Sequence, residues 1–207
     1  MRKHFVRMFP ALKHLNIPNA ITTFGMICGV FACFFIVHGE FRMVAVFLTL
    51  AGLMDFVDGF VATKLNQQTT FGKYVDTLVD FFTCGIIPGF LVIGMIVSDA
   101  APLHQNVIIV AAMLYYTSCA LWRLAYYNIV EADKYFVGLP VPGSMMMVTM
   151  SMWAVMRFAV PIYFSAAVFL TIGTLMVSGI KLPKYGLWQK IMSVMCVIFL
   201  ILVLAVG

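Results

Sequence analysis

The chain is poor in charged residues. Asp, Glu, Lys and Arg make up 10% of its 207 residues, whereas they make up about a quarter of an ordinary soluble domain. The hydrophobic share is 63% and the mean hydropathy is +1.03. Apolar stretches recur along the whole chain at the length of about 20 residues that a bilayer-spanning helix needs. The shortage of charge excludes a soluble globular domain and predicts an all-α, polytopic transmembrane helical bundle.

Cysteine and histidine show no metal-ligand spacing. The five cysteines lie within apolar runs, and the four histidines are scattered over chain ends and loops. Free cysteine behaves as a small hydrophobic residue, so we interpret the cysteines as packing residues. We assign no function to the histidines.

Basic residues outnumber acidic ones, and the formal net charge is +5. They cluster at the ends of apolar segments, as the positive-inside rule describes for membrane proteins, so we expect no nucleic-acid partner. With the N-terminus in the cytoplasm, every Lys and Arg except Arg42 and Arg157 falls on the cytoplasmic side. The predicted location is therefore the cell membrane, with a cytoplasmic N-terminus.

Hydropathy divides the chain into a short basic segment and a membrane domain. Residues 1–18 are predicted to form a juxtamembrane segment, either a short helix on an anionic membrane surface or a solvated basic tail. Residues 19–207 form the predicted transmembrane domain. Asn19 opens the first span as a candidate helix N-cap, and Pro88 is expected to bend the third span. We place about seven spans, near residues 19–38, 42–64, 71–97, 106–130, 141–157, 161–179 and 187–206.

Four of the eight acidic residues lie within one short stretch. Asp55 and Asp58 are three residues apart on the second predicted helix, and Asp76 and Asp80 are four apart on the third. Each pair therefore shares one helix face. The two helices are antiparallel across a short cytoplasmic turn, which puts Asp55 and Asp80 at similar depth, with the other two shallower. We expect all four carboxylates to converge in one pocket in the cytoplasmic half of the membrane.

A cluster of carboxylates in a membrane needs compensating positive charge. Ionised carboxylates in close contact repel one another, and each charge is costly at the membrane centre. Divalent cations would offset this, since Mg²⁺ prefers oxygen ligands and commonly bridges carboxylates to substrate phosphates. Gly59 and Gly72 leave room beside the acids for a bulky ligand. We therefore predict a metal and phosphate site. A cation transport pathway is the functional alternative, although the spans show no polar path to the outer face.

The spacing of the aspartates carries a family resemblance. From Asp55 to Asp80 the chain reads D-x-x-D-G-x-x-A-T, eight further residues, then G-x-x-x-D-x-x-x-D. This resembles the signature of the CDP-alcohol phosphotransferases, which has Arg where this chain has Thr63. Lys64 follows directly, and we expect it to replace the missing charge. The alternative is that the missing guanidinium leaves a catalytically impaired binding protein.

Four further stretches resemble the membrane-bound phosphatidylserine synthases within that family. The resemblance implies transfer of a phosphatidyl group from CDP-diacylglycerol to L-serine with release of CMP, two Mg²⁺ or Mn²⁺ ions, a homodimer, and an active site that faces the cytoplasm. Glycerol phosphate and inositol phosphate are alternative acceptors, but they would need several bases in the pocket. The stretches are NIPNAIT at 16–22, WRLAYYN at 122–128, YFVGLPVPGS at 135–144 and MVSGIKLPK at 176–184.

The same resemblance implies roles for individual residues. Asp55, Asp58 and Asp76 would hold a divalent ion. Asp80 would share a second ion or act as the general base that takes the proton of the serine hydroxyl. Arg123 would bind the serine carboxylate bidentately, unless its side chain extends to the membrane interface. The implied donor-binding residues are Asn19, Asp58, Gly59, Ala62, Thr63, Lys64 and Gly72, and the implied acceptor-binding residues are Arg123 and Asn128, with Lys134 as a weaker option.

Overall fold

The chain folds into a bundle of helices. The computed structural model describes residues 10–99, 103–130, 135–183 and 187–206. The first element is a short 3-10 helix at Pro10–His14, and a π-helical segment at Phe81–Ile86 continues the third α-helix directly into the fourth. Residues 1–9, half of the predicted juxtamembrane segment, and Lys134 lie outside the described residues. The α-helices are α1 Ile17–Val37, α2 Phe41–Lys64, α3 Thr70–Asp80, α4 Ile87–Asp99, α5 Leu103–Ile129, α6 Val141–Arg157, α7 Phe164–Val177 and α8 Leu187–Val206.

The prediction of an all-α membrane bundle is confirmed. Among the described residues, four helical stretches are long and apolar enough to cross a bilayer, and Phe164–Val177 and Ser193–Ala205 are shorter apolar helices. The count of seven spans and the cytoplasmic N-terminus remain predictions. The four long stretches are Ile17–Val37, Phe41–Lys64, Thr70–Ser98 and Asn106–Ile129.

A small antiparallel ribbon adds to the predicted helices. Strand β1, Tyr135–Val137, pairs with β2, Lys181–Pro183. The Tyr127 hydroxyl on α5 donates to the carbonyl of Val137 at 2.9 Å and accepts from the N–H of the same residue. The ribbon is therefore fastened to the end of α5. Strands of three residues are too short to show the alternating pattern from which strands are predicted.

Pro88 lies two residues after the π-helical segment, within the third helical stretch, and the bend predicted there remains a prediction. Proline has no N–H, so the carbonyl of Cys84, four residues earlier, loses its α-helical donor. The hydroxyl of Tyr116 donates to this carbonyl at 2.8 Å, and the hydroxyl of Thr117 donates to the carbonyl of Gly85 at 3.0 Å. Backbone groups at membrane depth need such partners because no water is available there. The π-helical segment is thus stabilised by α5.

Side chains cap the starts of α1 and α3. Asn16 caps α1, where its side chain accepts from the N–H of Asn19 at 2.9 Å. Thr69 caps α3 by accepting from the N–H of Gly72 at 3.0 Å. Asn66 in the turn between α2 and α3 has a φ of 52°, a left-handed conformation that Asn tolerates better than most residues. The resulting α2–α3 hairpin presents the predicted aspartates toward α1.

The buried charged side chains of the described residues lie on three helices, α2, α3 and α5. They are Asp58 on α2, Asp80 on α3 and Arg123 on α5. Asp80 is the one residue that α3 buries. Buried hydroxyl groups are spread more widely and include Ser144 and Thr149 on α6. The described core is formed by hydrophobic residues of α1, α2 and α4 to α8.

Candidate active site

The four aspartates of the signature meet in one place. All four line a narrow inner cavity of about 10 Å³, which is about the smallest space that can hold one water molecule. The structure therefore brings together the residues that helical spacing placed on facing sides of α2 and α3. The remaining lining residues are Thr22, Gly25, Ala51, Val79 and Thr83.

Three of the carboxylates form a tighter group. One oxygen each from Asp55, Asp76 and Asp80 lies within 4.8 Å of the other two. Asp58 is held differently, because the hydroxyl of Thr22 on α1 donates to its Oδ2 atom. Asp58 and Asp80 are both buried, with exposed fractions of 6% and 8%. The inner cavity thus contains a three-carboxylate group with a fourth carboxylate held beside it.

The donor atoms of this group suit a divalent cation. All three are carboxylate oxygens, which hard cations such as Mg²⁺ and Mn²⁺ prefer. Their mutual separation lets one ion contact all of them, and a cation would offset the repulsion of three negative groups in a site removed from water. The cluster can therefore hold a metal ion. Which ion it takes, and whether there are two, remain predictions.

A larger outer cavity of about 830 Å³ adjoins the inner one. Thr22, Asp58 and Asp76 line both cavities, whereas Asp55 and Asp80 line only the inner one, in line with the depths expected from helix geometry. Most of the residues predicted to bind the donor substrate line the outer cavity. It is lined by Pro18, Asn19, Thr22, Asp58, Gly59, Ala62, Gln67, Gln68, Thr69, Thr70, Gly72, Lys73, Asp76, Tyr127, Asn128, Ile129 and Val130.

Thr63 and Lys64 lie apart from both cavities. The Thr63 hydroxyl donates to the carbonyl of Gly59 at 2.9 Å and accepts from Gln68 Nε2 at 3.0 Å. Lys64 is exposed, and its Nζ atom lies 5.8 Å from the centre of the Phe60 ring. Neither residue is among those that line the cavities. Their assignment to substrate binding remains a prediction.

Asn19 is a buried contact between helices. Its alternative role as the N-cap of α1 is filled by Asn16. The Asn19 Nδ2 atom donates to the carbonyl of His14 at 2.9 Å. A Cβ atom added to Gly72 would lie 2.7 Å from Asn19 Oδ1. Gly72 therefore lets the start of α3 approach α1 closely, at the wall of the outer cavity.

Arg123 on α5 is buried beside the carboxylates. Its exposed fraction is 8%, which excludes a side chain extended to the membrane interface. The guanidinium carbon lies 4.6 Å from the centre of the Tyr127 ring, and the charge interacts electrostatically with Asp80 and Asp55. The Nε atom is buried and has no hydrogen-bond partner among the described residues. Arg123 is thus a buried positive group with an unused donor, within electrostatic range of Asp80 but outside the lining of both cavities.

Asn128, the other predicted acceptor residue, lines the outer cavity. Its Nδ2 atom donates to Thr77 Oγ1 and to the carbonyl of Leu124, both at 3.1 Å. These contacts join α5 to α3 near the cavity wall. The structure therefore places Arg123 and Asn128 at different parts of the site, one buried beside Asp80 and one at the outer cavity.

Two residues of the site were missed by sequence reasoning. Thr22 lies three residues after Asn19 in the NIPNAIT stretch, on the same face of α1, and this spacing could have indicated it. Lys73 follows Gly72 within the signature, but it was counted only as a cytoplasmic base. Its position three residues before Asp76 places both residues on one face of α3.

The fold and the site define a class of protein, a helical membrane protein with a carboxylate cluster that adjoins a larger cavity. The profile of the CDP-alcohol phosphatidyltransferase family matches residues 15–178, which include every helix that lines the site. The chain therefore belongs to the CDP-alcohol phosphatidyltransferase family, which is generally dependent on divalent metals.

Named relatives within the family are similar over most of the chain. A CDP-diacylglycerol–serine O-phosphatidyltransferase of Bacillus subtilis is 29% identical over 175 residues, which cover 82% of this chain and 90% of the relative. One of the same name from Methanocaldococcus jannaschii is 27% identical over 178 residues, covering 86% and 79%. A CDP-diacylglycerol–glycerol-3-phosphate 3-phosphatidyltransferase of Aquifex aeolicus is 36% identical, but over only 66 residues, or 32% of this chain.

Proposed function

We propose that this protein transfers the phosphatidyl group of CDP-diacylglycerol to L-serine, forming phosphatidylserine and releasing CMP. The observation that carries the proposal is the three-carboxylate group beside a cavity that is large enough for a nucleotide and is lined by Asp58, Asp76 and Lys73 among others. The relatives that match over most of their length support serine as the acceptor, since their names specify it. The relative named for glycerol phosphate matches over a short stretch only.

The outer cavity is the proposed site of the cytidine diphosphate part of the donor. Asn19, Asp58, Gly59, Ala62 and Gly72 line it, and the small residues among them leave its walls open to a bulky ligand. The lipid tails would extend between helices into the bilayer. Because the nucleotide and serine are water-soluble, we place the cavity on the cytoplasmic side of the cell membrane. The resemblance to the family supports a homodimer as the working unit.

The carboxylates are proposed to hold two divalent ions, Mg²⁺ or Mn²⁺. Asp55, Asp76 and Asp80 have the geometry for one ion, and Asp58, at the boundary of the two cavities, is placed to contribute to the second. Metal ions bound there would neutralise charge on the transferring phosphoryl group and on the leaving CMP.

Asp80 and Arg123 are the proposed acceptor residues. The serine hydroxyl oxygen attacks the phosphorus that carries diacylglycerol, the bond from that phosphorus to the CMP oxygen breaks, and CMP leaves. Asp80 accepts the hydroxyl proton as general base. The Arg123 guanidinium has an unused buried donor and can bind the serine carboxylate bidentately. Because Arg123 interacts electrostatically with Asp80, a serine carboxylate bound to Arg123 would lie near the proposed base.

Release of CMP by the purified protein tests the proposal. CDP-diacylglycerol in mixed micelles with Mg²⁺ or Mn²⁺ is supplied with L-serine, glycerol 3-phosphate or inositol 1-phosphate in turn, and the lipid product is identified by mass spectrometry. We expect CMP and phosphatidylserine with serine, and neither with Asp55→Asn as a control. Turnover with glycerol phosphate or inositol phosphate in place of serine would contradict the acceptor assignment.

A further inference from the structure

The family signature has an arginine at position 63, and this chain has no cation there. The Thr63 hydroxyl is engaged within its own helix and hairpin, by Gly59 and Gln68. The next residue, Lys64, directs its ammonium group over Phe60 rather than into either cavity. A cavity that is to hold a diphosphate still needs a positive group besides any metal ion, because its walls also carry Asp58 and Asp76.

Lys73 is the one lysine or arginine that lines the outer cavity, among the residues that the structure describes. It lies in the first turn of α3, three residues before Asp76 and on the same face. Its Nζ atom makes a long hydrogen bond of 3.4 Å to the carbonyl of Asn128. An ammonium group has three donors, so this neutral and distant partner leaves Lys73 able to contact an anion.

The first turn of α3 adds to the positive character of this wall. Thr69, Thr70 and Gly72 also line the cavity, and the N-terminal end of a helix carries a partial positive charge that favours anions. Lys73 and the start of α3 therefore line the same cavity as the carboxylates of Asp58 and Asp76.

We propose that Lys73 binds the diphosphate of the donor substrate and supplies the positive charge that the family signature places at position 63. The inference rests on the proposed function for the identity of the donor. It also assigns the cytidine diphosphate group to the part of the outer cavity between the start of α3 and the end of α5. Lys73 is a substrate-binding residue in this proposal, and proton transfer stays with Asp80.

The test compares four variants for binding of CDP and for steady-state kinetics. CDP with Mg²⁺ is titrated into the purified protein by calorimetry, and KM is measured separately for CDP-diacylglycerol and for serine. The variants are Lys73→Ala, Lys73→Arg, Lys64→Ala and, as a matched control, Lys13→Ala. Lys13 is an exposed lysine of the 3-10 helix that lines neither cavity. Thermal unfolding of each variant identifies any loss of folded protein.

We expect Lys73→Ala to weaken CDP binding and raise the KM for CDP-diacylglycerol by about ten- to a hundredfold, the usual effect of losing a charge-assisted hydrogen bond. The KM for serine should change by less than about threefold, since donor binding alone is lost. Lys73→Arg should retain most of the affinity because it keeps the charge. Lys13→Ala should bind CDP like the unmodified protein, and Lys64→Ala should weaken CDP binding less than Lys73→Ala does.

Three results would overturn the proposal. These are unchanged CDP binding by Lys73→Ala, a rise in the KM for serine alone, and loss of CDP binding by Lys64→Ala in place of Lys73→Ala. Failure of the proposed function would give a different result. The protein would then release no CMP with serine, while CDP binding would still depend on Lys73.

Discussion

Asp58, Asp80 and Arg123 are all buried, yet each has different partners. Asp58 accepts a hydrogen bond from Thr22, whereas Asp80 belongs to the three-carboxylate group and lies in the field of Arg123. The hydrogen bond from Thr22 fixes the position of the Asp58 carboxylate. Asp80 interacts with Arg123, whose unused donor can bind the acceptor substrate. The two aspartates should therefore respond differently to the same substitution.

Asp80→Asn should lower turnover far more than it lowers binding of the donor. Removing a general base typically costs about 10²–10⁴-fold in rate, and asparagine keeps the size of the side chain. CDP binding and CMP release are measured on the same preparation. Asp58→Asn is the comparison, and it should lose both, because Asp58 lines both cavities. Near-normal turnover by Asp80→Asn would rule out its role as base.

Arg123→Lys should raise the KM for serine and leave CDP binding close to normal. Lysine keeps the charge but cannot form the two parallel hydrogen bonds of a guanidinium with a carboxylate. The expected change is about ten- to a hundredfold. The control is Arg157→Lys, at the exposed C-terminal end of α6, which should behave like the unmodified protein. An equal KM for serine in the Arg123→Lys and Arg157→Lys variants would show that Arg123 does not bind the acceptor.

At the scale of elements, the site depends on two close contacts between helices. The start of α3 approaches α1 at Gly72, where an added Cβ would meet Asn19. The π-helical segment that follows Asp80 depends on α5, since Tyr116 and Thr117 donate to its carbonyls. The hydrogen bonds between α5 and the π-helical segment lie one turn after Asp80 and about two turns before Arg123. These bonds therefore help to position both residues.

Gly72→Ala should destabilise the protein and weaken CDP binding. The new methyl group would lie 2.7 Å from Asn19 Oδ1, so the Asn19 amide or the helix that carries it must shift, and overpacking of this kind costs roughly 1–3 kcal/mol. Thermal unfolding and CDP titration measure the two effects. Gly59→Ala is the control for stability, since no atom of the described residues lies within 4 Å of its added Cβ. Equal unfolding temperatures of the Gly72→Ala and Gly59→Ala variants would contradict the close contact between Gly72 and Asn19.

Tyr116→Phe should lower the unfolding temperature and reduce turnover. The substitution leaves the Cys84 carbonyl without its hydroxyl donor, and a buried polar group without a partner costs about 1–3 kcal/mol. Turnover should fall because the π-helical segment begins directly after Asp80. Tyr115→Phe is matched to it, since that hydroxyl contacts Thr174 on an exposed surface. Tyr115→Phe should lower the unfolding temperature and the turnover less than Tyr116→Phe does. A larger effect of Tyr115→Phe would show that Tyr116 does not support the π-helical segment.

At the scale of the whole molecule, negative charge is concentrated in one buried place. Apolar residues of seven of the eight α-helices form the described core, and the carboxylates of α2 and α3 lie beside it. Such an arrangement makes the stability of the bundle depend on what binds between the carboxylates. A bound cation would tie α2 to α3, because its ligands come from both helices.

Removal of divalent ions should abolish CMP release and lower the unfolding temperature. A ligand at a hundred times its dissociation constant stabilises a protein by about 2.7 kcal/mol, so added Mg²⁺ or Mn²⁺ should restore both properties after treatment with EDTA. CMP release and thermal unfolding are followed over a titration of each metal. Asp55→Asn should lose most of the metal-dependent stabilisation. Full turnover in metal-free conditions would refute a metal-dependent mechanism.

The helical class, the position of the helices and the facing aspartates could be predicted from the sequence. Hydropathy, and the spacing of Asp55 from Asp58 and of Asp76 from Asp80, are local properties, and a helix turns local spacing into a common face. The ribbon of β1 and β2 could not be predicted, because its two strands are short and pair across a large separation in the chain. The capping role of Asn16, rather than Asn19, depends on where the first turn of α1 begins, which spacing alone leaves uncertain by a few residues.

Tertiary packing alone decided which side chains enter the site. Sequence spacing could not show that Thr22 would donate to Asp58, that Lys73 would line the outer cavity while Lys64 lies outside it, or that Arg123 would be buried beside Asp80. Each of these outcomes depends on the rotation of one helix relative to another, and that rotation is set by contacts between residues distant in sequence. The sequence by itself determined that four carboxylates would face one another in a membrane bundle, because that result needs only the periodicity of two adjacent helices.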